Sequence, residues 1–193
     1  MLEQRIQQQF FDSADLQYQT AESLSRPIAD ATQAVTGCIT AGGKLLVGGF
    51  GGGAALAQHF CAAFIGRFER ERPALAALAL AGDSVLLTCS TPEQALAKQV
   101  QALGQGGDVL LLIDAHGRDA ALAAGIEAAH ARDMIVVLLG ARGATGLRDK
   151  LGETDVLVAV PHDRSARVLE LQLLVLHCLC DAVDVQLMGE QDP

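Results

Sequence analysis

The sequence predicts an α/β fold, a parallel sheet with helices packed on it, and three observations carry that expectation. The first is the stretch from Lys44 to Phe60. There an apolar run ending at Val47 meets five glycines between Gly48 and Gly53 and then an Ala/Leu-rich run, the pattern of strand, tight turn and helix. The second is recurrence: Val109–Ile113, Met134–Leu139 and Val156–Val160 are short apolar runs of the kind that strands buried on both faces require. The third is composition. Half of the 193 residues are apolar but only 4% are aromatic, so Ala, Leu, Val and Gly must fill the core, which suits helices packed closely on a sheet.

In chain order, residues 3–23 and Ile28–Thr40 read as two amphipathic helices separated at Arg26-Pro27. A helix from about Gly53 to Phe68 follows the glycine turn and ends in a charged run, Arg67 to Arg72, before Pro73. Leu75 to Leu80 is a short apolar segment, Ala81-Gly82-Asp83 a turn, and Val85 to Thr88 too short to classify. Pro92-Glu93 opens a helix to about Leu103, and the loop Asp114 to Asp119 leads into another that reaches about Arg132. From Ser165 to Met188 runs one long helix, apolar from Leu171 to Cys180 except at Gln172 and His177. Such a helix must be buried on nearly all sides, which implies contact with another subunit as well as with the sheet.

Size and charge narrow the function. A chain of 193 residues without internal repeat or linker fits one domain, 1–193, with 1–42 as a helical prefix and 43–193 as the core and final helix. The net charge of −9 without a basic run excludes a phosphate-neutralising nucleic-acid surface. No apolar run approaches the ~20 residues that span a bilayer. Together with the polar N-terminus, this predicts a cytoplasmic protein away from the membrane. Five cysteines at 38, 61, 89, 178 and 180 read as reduced, buried thiols. Cys178 and Cys180, two apart on a helix, point to different faces and make a poor metal pair.

In open α/β folds a glycine turn between strand and helix faces the ligand crevice, where free helix N–H groups attract anions. Between Gly48 and Gly53, however, there is no Ser, Thr, Lys or Arg, and Phe50 sits in the middle. A phosphate cradle and a turn that only packs helix on strand both remain open at this point.

Several stretches taken together carry a resemblance: the glycine turn with Ala57-Gln58-His59-Phe60, Arg67 to Pro73, Ala97-Lys98-Gln99-Val100, Ala102-Leu103-Gly104, Gly107 to Leu111, Arg164-Ser165-Ala166-Arg167 and Cys178-Leu179-Cys180-Asp181. In this order and spacing the chain resembles, over nearly its whole length, the sugar isomerase (SIS) domain group. That group contains bacterial phosphoheptose isomerase and the non-enzymatic DnaA initiator-associating protein DiaA. The resemblance implies a three-layer αβα sandwich, a flavodoxin-like five-stranded parallel sheet with the helical prefix and long final helix, assembled as a homotetramer.

For the isomerase branch it implies Ser/Thr-rich loops that bind sedoheptulose 7-phosphate, and a glutamate and histidine that move protons and can hold zinc. Matched residue by residue, that machinery is depleted. Gly49-Phe50-Gly51-Gly52-Gly53 stands where the isomerase has Gly-Asn-Gly-Gly-Ser, so the phosphate-binding serine is Gly53. The second phosphate loop falls on Asp114-Ala115-His116-Gly117-Arg118-Asp119, with every hydroxyl lost and two carboxylates added. Like charges placed there cost on the order of several kcal/mol with a bound phosphate. His59 and His177 keep the family's two histidines, but its glutamate is Ala63 and its glutamine Leu169. A zinc site ordinarily wants at least three protein ligands, so His59 and His177 are expected as remnants, packed with their N–H groups satisfied locally. The family's Asn-Asp loop is shortened to Cys89-Ser90-Thr91-Pro92.

The start of the final helix is more similar to DiaA, whose Leu-Phe pair for DnaA falls on Leu187 and Met188. The resemblance therefore implies a catalytically silent homotetramer that binds DnaA at Leu187 and Met188, with no metal and no cofactor. Its degenerate phosphate loops are Gly49, Gly51, Gly52, Gly53, Asp114, His116, Gly117 and Asp119. Two other expectations stand beside it: a phosphoheptose isomerase, and a sensor whose altered crevice at Asp114, His116, Arg118 and Asp119 takes a cationic or neutral polar ligand.

Overall fold

The computed structural model describes residues 1–80, 88, 90–116 and 120–190. The elements are α1 (Leu2–Thr40), β1 (Leu45–Gly49), α2 (Gly52–Ile65), β2 (Ala77–Leu80), α3 (Pro92–Leu103), β3 (Val109–Ile113), α4 (Ala120–His130), β4 (Ile135–Ala141), α5 (Thr145–Arg148), β5 (Val156–Val160) and α6 (Ser165–Met188). All five strands are parallel, in the order β2-β1-β3-β4-β5. This is the flavodoxin-like arrangement. The order in which strands are added reverses between β1 and β3, so the carboxyl ends of these two strands frame a crevice.

The pleat distributes the apolar side chains to two cores. Leu45, Val47, Val109, Leu111, Ile113, Val137 and Leu139 enter one core together with residues of α1, α2 and α6. Leu46, Leu110, Leu112, Val136 and Leu138 enter the other, with residues of α3, α4 and α5. Both faces of the sheet are covered, which explains why its strands read as unbroken apolar runs.

Two buried carboxylates fix the opposite, amino-terminal edge of the sheet. Asp108 accepts hydrogen bonds from the Lys44 amide at 2.9 Å, the Lys44 Nζ at 2.5 Å and the Gln105 amide at 2.9 Å, tying β1 to β3. Asp155 accepts from the Val136 and Gly152 amides, each at 2.8 Å, and lies 2.6 Å from the His130 Nε2, tying β4 and α4 to the approach of β5. Carboxylates are used where the ladder has not yet begun and amides would otherwise lack partners.

Two expectations need correction. The N-terminal region is one helix, with Pro27 inside α1, instead of two helices broken at Arg26-Pro27. An interior proline costs about 3 kcal/mol through its missing N–H and the clash with the preceding turn. On either side of it, Leu24, Ala31 and Val35 are buried in the core shared with α6 and the sheet. Each fully buried aliphatic side chain of Val or Leu size contributes about 1.5–3 kcal/mol, so packing outweighs the proline. The helix after the glycine turn stops at Ile65, not Phe68. Arg72 ends it by donating to the carbonyls of Phe64 at 2.7 Å and Ala63 at 2.9 Å.

The bounds of α3, β3, β5 and α6 agree with the sequence expectation, and β2 occupies the last part of the Leu75–Leu80 segment. The four-residue α5 is too short to leave a periodic pattern. Cys38, Cys61 and Cys180 are buried free thiols and Cys178 is half-buried. Burial pushes the Cys61 and Cys180 thiols up to about 12. Cys89, the Ala81-Gly82-Asp83 turn and Val85–Leu87 lie outside the described residues.

Replacing Asp108 by Ala should destabilise the fold by about 2–6 kcal/mol in urea denaturation, because two amides lose their partner at about 1–3 kcal/mol each. Asp108→Asn, which keeps one acceptor oxygen, should cost less.

Candidate functional site

The crevice is built from the ends of β1 and β3, the start of α2 and the flank of α6. At the glycine turn, Gly51 takes a positive φ of 54° immediately before α2. The turn then closes on itself: the Gly53 amide donates to the Phe50 carbonyl at 2.9 Å and the Ala54 amide to the Gly51 carbonyl at 3.2 Å. Two of the amides that would greet an anion at a helix start are thus already engaged. Phe50 packs on the core beneath α3 and α4.

The other glycines serve close approach. A Cβ on Gly53 would meet the Ile113 carbonyl oxygen at 2.5 Å, and one on Gly49 would meet the Gly53 carbonyl carbon at 2.7 Å. Three backbones, those of β1, α2 and β3, therefore converge with no room for a side chain. A Cβ on Gly52 would lie 2.6 Å from Leu169 Cδ1, which shows that the isobutyl group of α6 rests directly on the turn. The position where the family resemblance implies a glutamine is an apolar cover.

At the second loop, Asp114 is buried and its Oδ1 accepts from the His116 amide at 2.9 Å, while its own amide donates to the Leu139 carbonyl at 2.8 Å. His116 is exposed. Gly117, Arg118 and Asp119 lie outside the described residues. Gln172 belongs to this part of the site although sequence reasoning did not select it. Fully buried, it donates from Nε2 to the Asp114 carbonyl at 2.9 Å and the Leu139 carbonyl at 3.0 Å. Two carbonyl neighbours fix the orientation of its amide. The available signal was its place as a polar interruption in the apolar run of the final helix.

His59 on α2 and His177 on α6 meet, with their Nε2 atoms 2.9 Å apart and their rings tilted by 58°. His59 is exposed and His177 half-buried, so the pair sits at the rim, and each ring satisfies the other instead of being packed separately. The Phe68 ring centroid lies 5.3 Å from that of His177. Burial and the neighbouring His59 charge hold the His177 imidazole below its ordinary value of 6.5, with Glu69 opposing. Ala63, one turn beyond His59, and Leu169, two turns before His177, add no donor to this face. Among the described residues, no three His, Cys, Asp or Glu side chains gather where they could hold a metal ion.

Along α6 the sequence motifs resolve into clasps. Arg167, buried at the start of the helix, donates to the Gln9 carbonyl at 2.6 Å and to Glu170 Oε1 at 2.5 Å, and Arg164 donates to Gln9 Oε1 at 3.1 Å. This Arg-Ser-Ala-Arg segment binds α1 to α6. At the other end the Arg67–Pro73 segment works as a strap. The buried Arg72 side chain pairs with buried Asp184 at 2.6 Å, and Arg70 donates to the Gly189 carbonyl at 3.2 Å. Beside this strap Leu187 is half-buried against the core and Met188 is exposed. Among the described residues no helix is long and apolar enough to cross a membrane.

Comparison with known proteins accords with this architecture. A family model described as SIS domain matches residues 9–140. A protein of Methylibium petroleiphilum named phosphoheptose isomerase is 59% identical, the match covering 100% of this chain and 98% of that one. One of Yersinia pseudotuberculosis named DnaA initiator-associating protein DiaA is 44% identical, with 100% of both chains covered. The solved structure of a phosphoheptose isomerase from Neisseria gonorrhoeae superposes with a TM-score of 0.89 at 37% identity, covering 95% of this chain and 99% of that one.

Gly53→Ser, which restores the hydroxyl that the resemblance implies, should lower stability by about 1–3 kcal/mol through overpacking against β3, as read by urea denaturation. A pH series should show a second effect. The folded His177 takes up a proton less readily than an unfolded histidine, so stability should fall as pH drops from 6.5 through the lower folded value. His177→Gln should flatten that window in thermal melts.

Proposed function

Because the chain belongs to the SIS domain family, we propose that it uses the family scaffold as a non-catalytic assembly platform: a cytoplasmic homotetramer, folded as a single domain, that binds the replication initiator DnaA and promotes its assembly at the origin. The observation that carries this reading is the state of the crevice. Leu169 covers Gly52, the Gly53 and Ala54 amides are engaged within the turn, and no side-chain hydroxyl lies in the glycine turn. Proton transfer on a sugar phosphate needs a base at the carbon and donors on the phosphate, and Ala63 and Gly53 supply neither.

The tetramer has support in α1. Leu2, Ile6 and Phe10 stand four residues apart on one helix face, all exposed. An apolar stripe of this kind fits burial by further copies of the chain. Repeated copies then present repeated binding sites, which raises the effective concentration of a second and third bound DnaA without new contacts. Leu187 and Met188 are proposed as the DnaA contact, on a helix end that the Arg67–Pro73 strap holds in place. A methionine at such a position adapts to a partner surface. The acidic chain reaches DNA only through that partner.

A second reading, a phosphoheptose isomerase, has the name of the 59% identical relative in its favour. The two separate in one set of experiments with the purified tetramer. DnaA from the same organism should bind in a titration, Met188→Ala together with Leu187→Ala should abolish that binding, and sedoheptulose 7-phosphate should not turn over with or without added zinc. Turnover of the sugar phosphate, with no DnaA binding, would reverse the assignment.

A further inference from the structure

The family resemblance implies a zinc ion between the histidines at 59 and 177, and the donor set here does not fit one. Two imidazole nitrogens bound to one tetrahedral zinc, each at about 2.05 Å, stand about 3.3 Å apart. The His59 and His177 Nε2 atoms are 2.9 Å apart, inside that spacing and within the range of a hydrogen bond donated by nitrogen. A third ligand is also missing. Ala63 and Leu169 hold the helix positions that share a face with the two histidines, and the Ala63 carbonyl is already engaged by Arg72 at 2.9 Å. Leu169 is committed to covering Gly52. Glu69 acts on His177 through its charge but is exposed on the strap and converges with no pair of metal-ligating groups among the described residues.

We infer that His59 and His177 form a direct imidazole–imidazole clasp that joins α2 to α6 in place of the metal ion, with Ala63 and Leu169 withholding the donors a metal would need. The chemistry of the clasp is definite. One ring donates its Nε2–H; the other accepts through the lone pair of its Nε2 and so carries its own hydrogen on Nδ1. Both rings are neutral in this arrangement, which agrees with the burial that disfavours a charged His177. The clasp joins the two helices at the rim of the crevice, while Leu169 lies on the glycine turn at Gly52. The inference concerns the α2–α6 junction alone and holds or fails independently of DnaA.

The test uses the full chain labelled with nitrogen-15 and zinc sulfate as the probe. Long-range proton–nitrogen spectra should show one imidazole as the Nε2–H tautomer and its partner as the Nδ1–H tautomer, neither changed by one equivalent of zinc. Zinc bound at one equivalent with both imidazoles shifted, and lost in His59→Gln, would overturn the inference. A second variant, Ala63→Glu with Leu169→Gln, should gain zinc affinity by at least the roughly hundredfold that loss of an outer-shell partner costs at natural sites. The gain should disappear when His59→Gln is added. If that variant keeps the wild-type circular dichroism and elution volume yet gains no zinc, the role given to Ala63 and Leu169 is wrong. If it does not fold, the wild-type titration decides alone.

Discussion

At Gly49, Gly53 and the Ile113 carbonyl, three backbones come so close that no Cβ fits between them, and much of the molecule follows from this contact. It presses the start of α2 against β3, sets where α2 leaves the sheet and so places His59 at the crevice rim. The same closeness turns the amides of Gly53 and Ala54 back onto the turn's own carbonyls. A glycine loop that looks open to an anion in the sequence has, in three dimensions, two of its amides bonded to its own carbonyls.

Helix α6 completes what the turn begins, and it does so with a different side chain at each level. Arg167 grips α1, Leu169 lies on Gly52, Gln172 holds the carbonyls at the ends of β3 and β4, His177 meets His59, and Asp184 receives Arg72. The buried Arg72–Asp184 pair gains little by charge alone, since desolvation offsets the Coulomb attraction. Its guanidinium earns its place by also capping the last carbonyls of α2. Site and scaffold therefore share one helix: between the clasps at its two ends, Leu169, Gln172 and His177 of α6 line the crevice.

The fold was largely legible in the sequence because its signals are local. Unbroken apolar runs such as Val109–Ile113 report strands covered on both faces, and the long apolar pattern from Ser165 to Met188 reports a helix covered on most sides. Pro27 misled because local preference argued for a break while the burial of Leu24, Ala31 and Val35, a long-range property, kept the helix continuous through it. The site was less legible for the same reason. Nothing in the spacing of residues 52 and 169, or of 59 and 177, tells that these pairs touch. Gln172 was visible only as an exception in an apolar run, and its partners lie 58 and 33 residues away.

The substitutions in the crevice are coupled, and this matters more than their number. With alanine at 63 and leucine at 169, an open crevice would expose an apolar side chain beside two imidazoles lacking partners. Leu169 instead lies on Gly52, half-buried against the core, and the two imidazoles meet each other at 2.9 Å. The replacements fit one another: with no donor side chain at 63 or 169 the histidines pair with each other, and with leucine at 169 the glycine turn carries an apolar cover. The described part of the crevice is thus a joint between β1, α2 and α6, made by the Gly52–Leu169 contact and the His59–His177 pair.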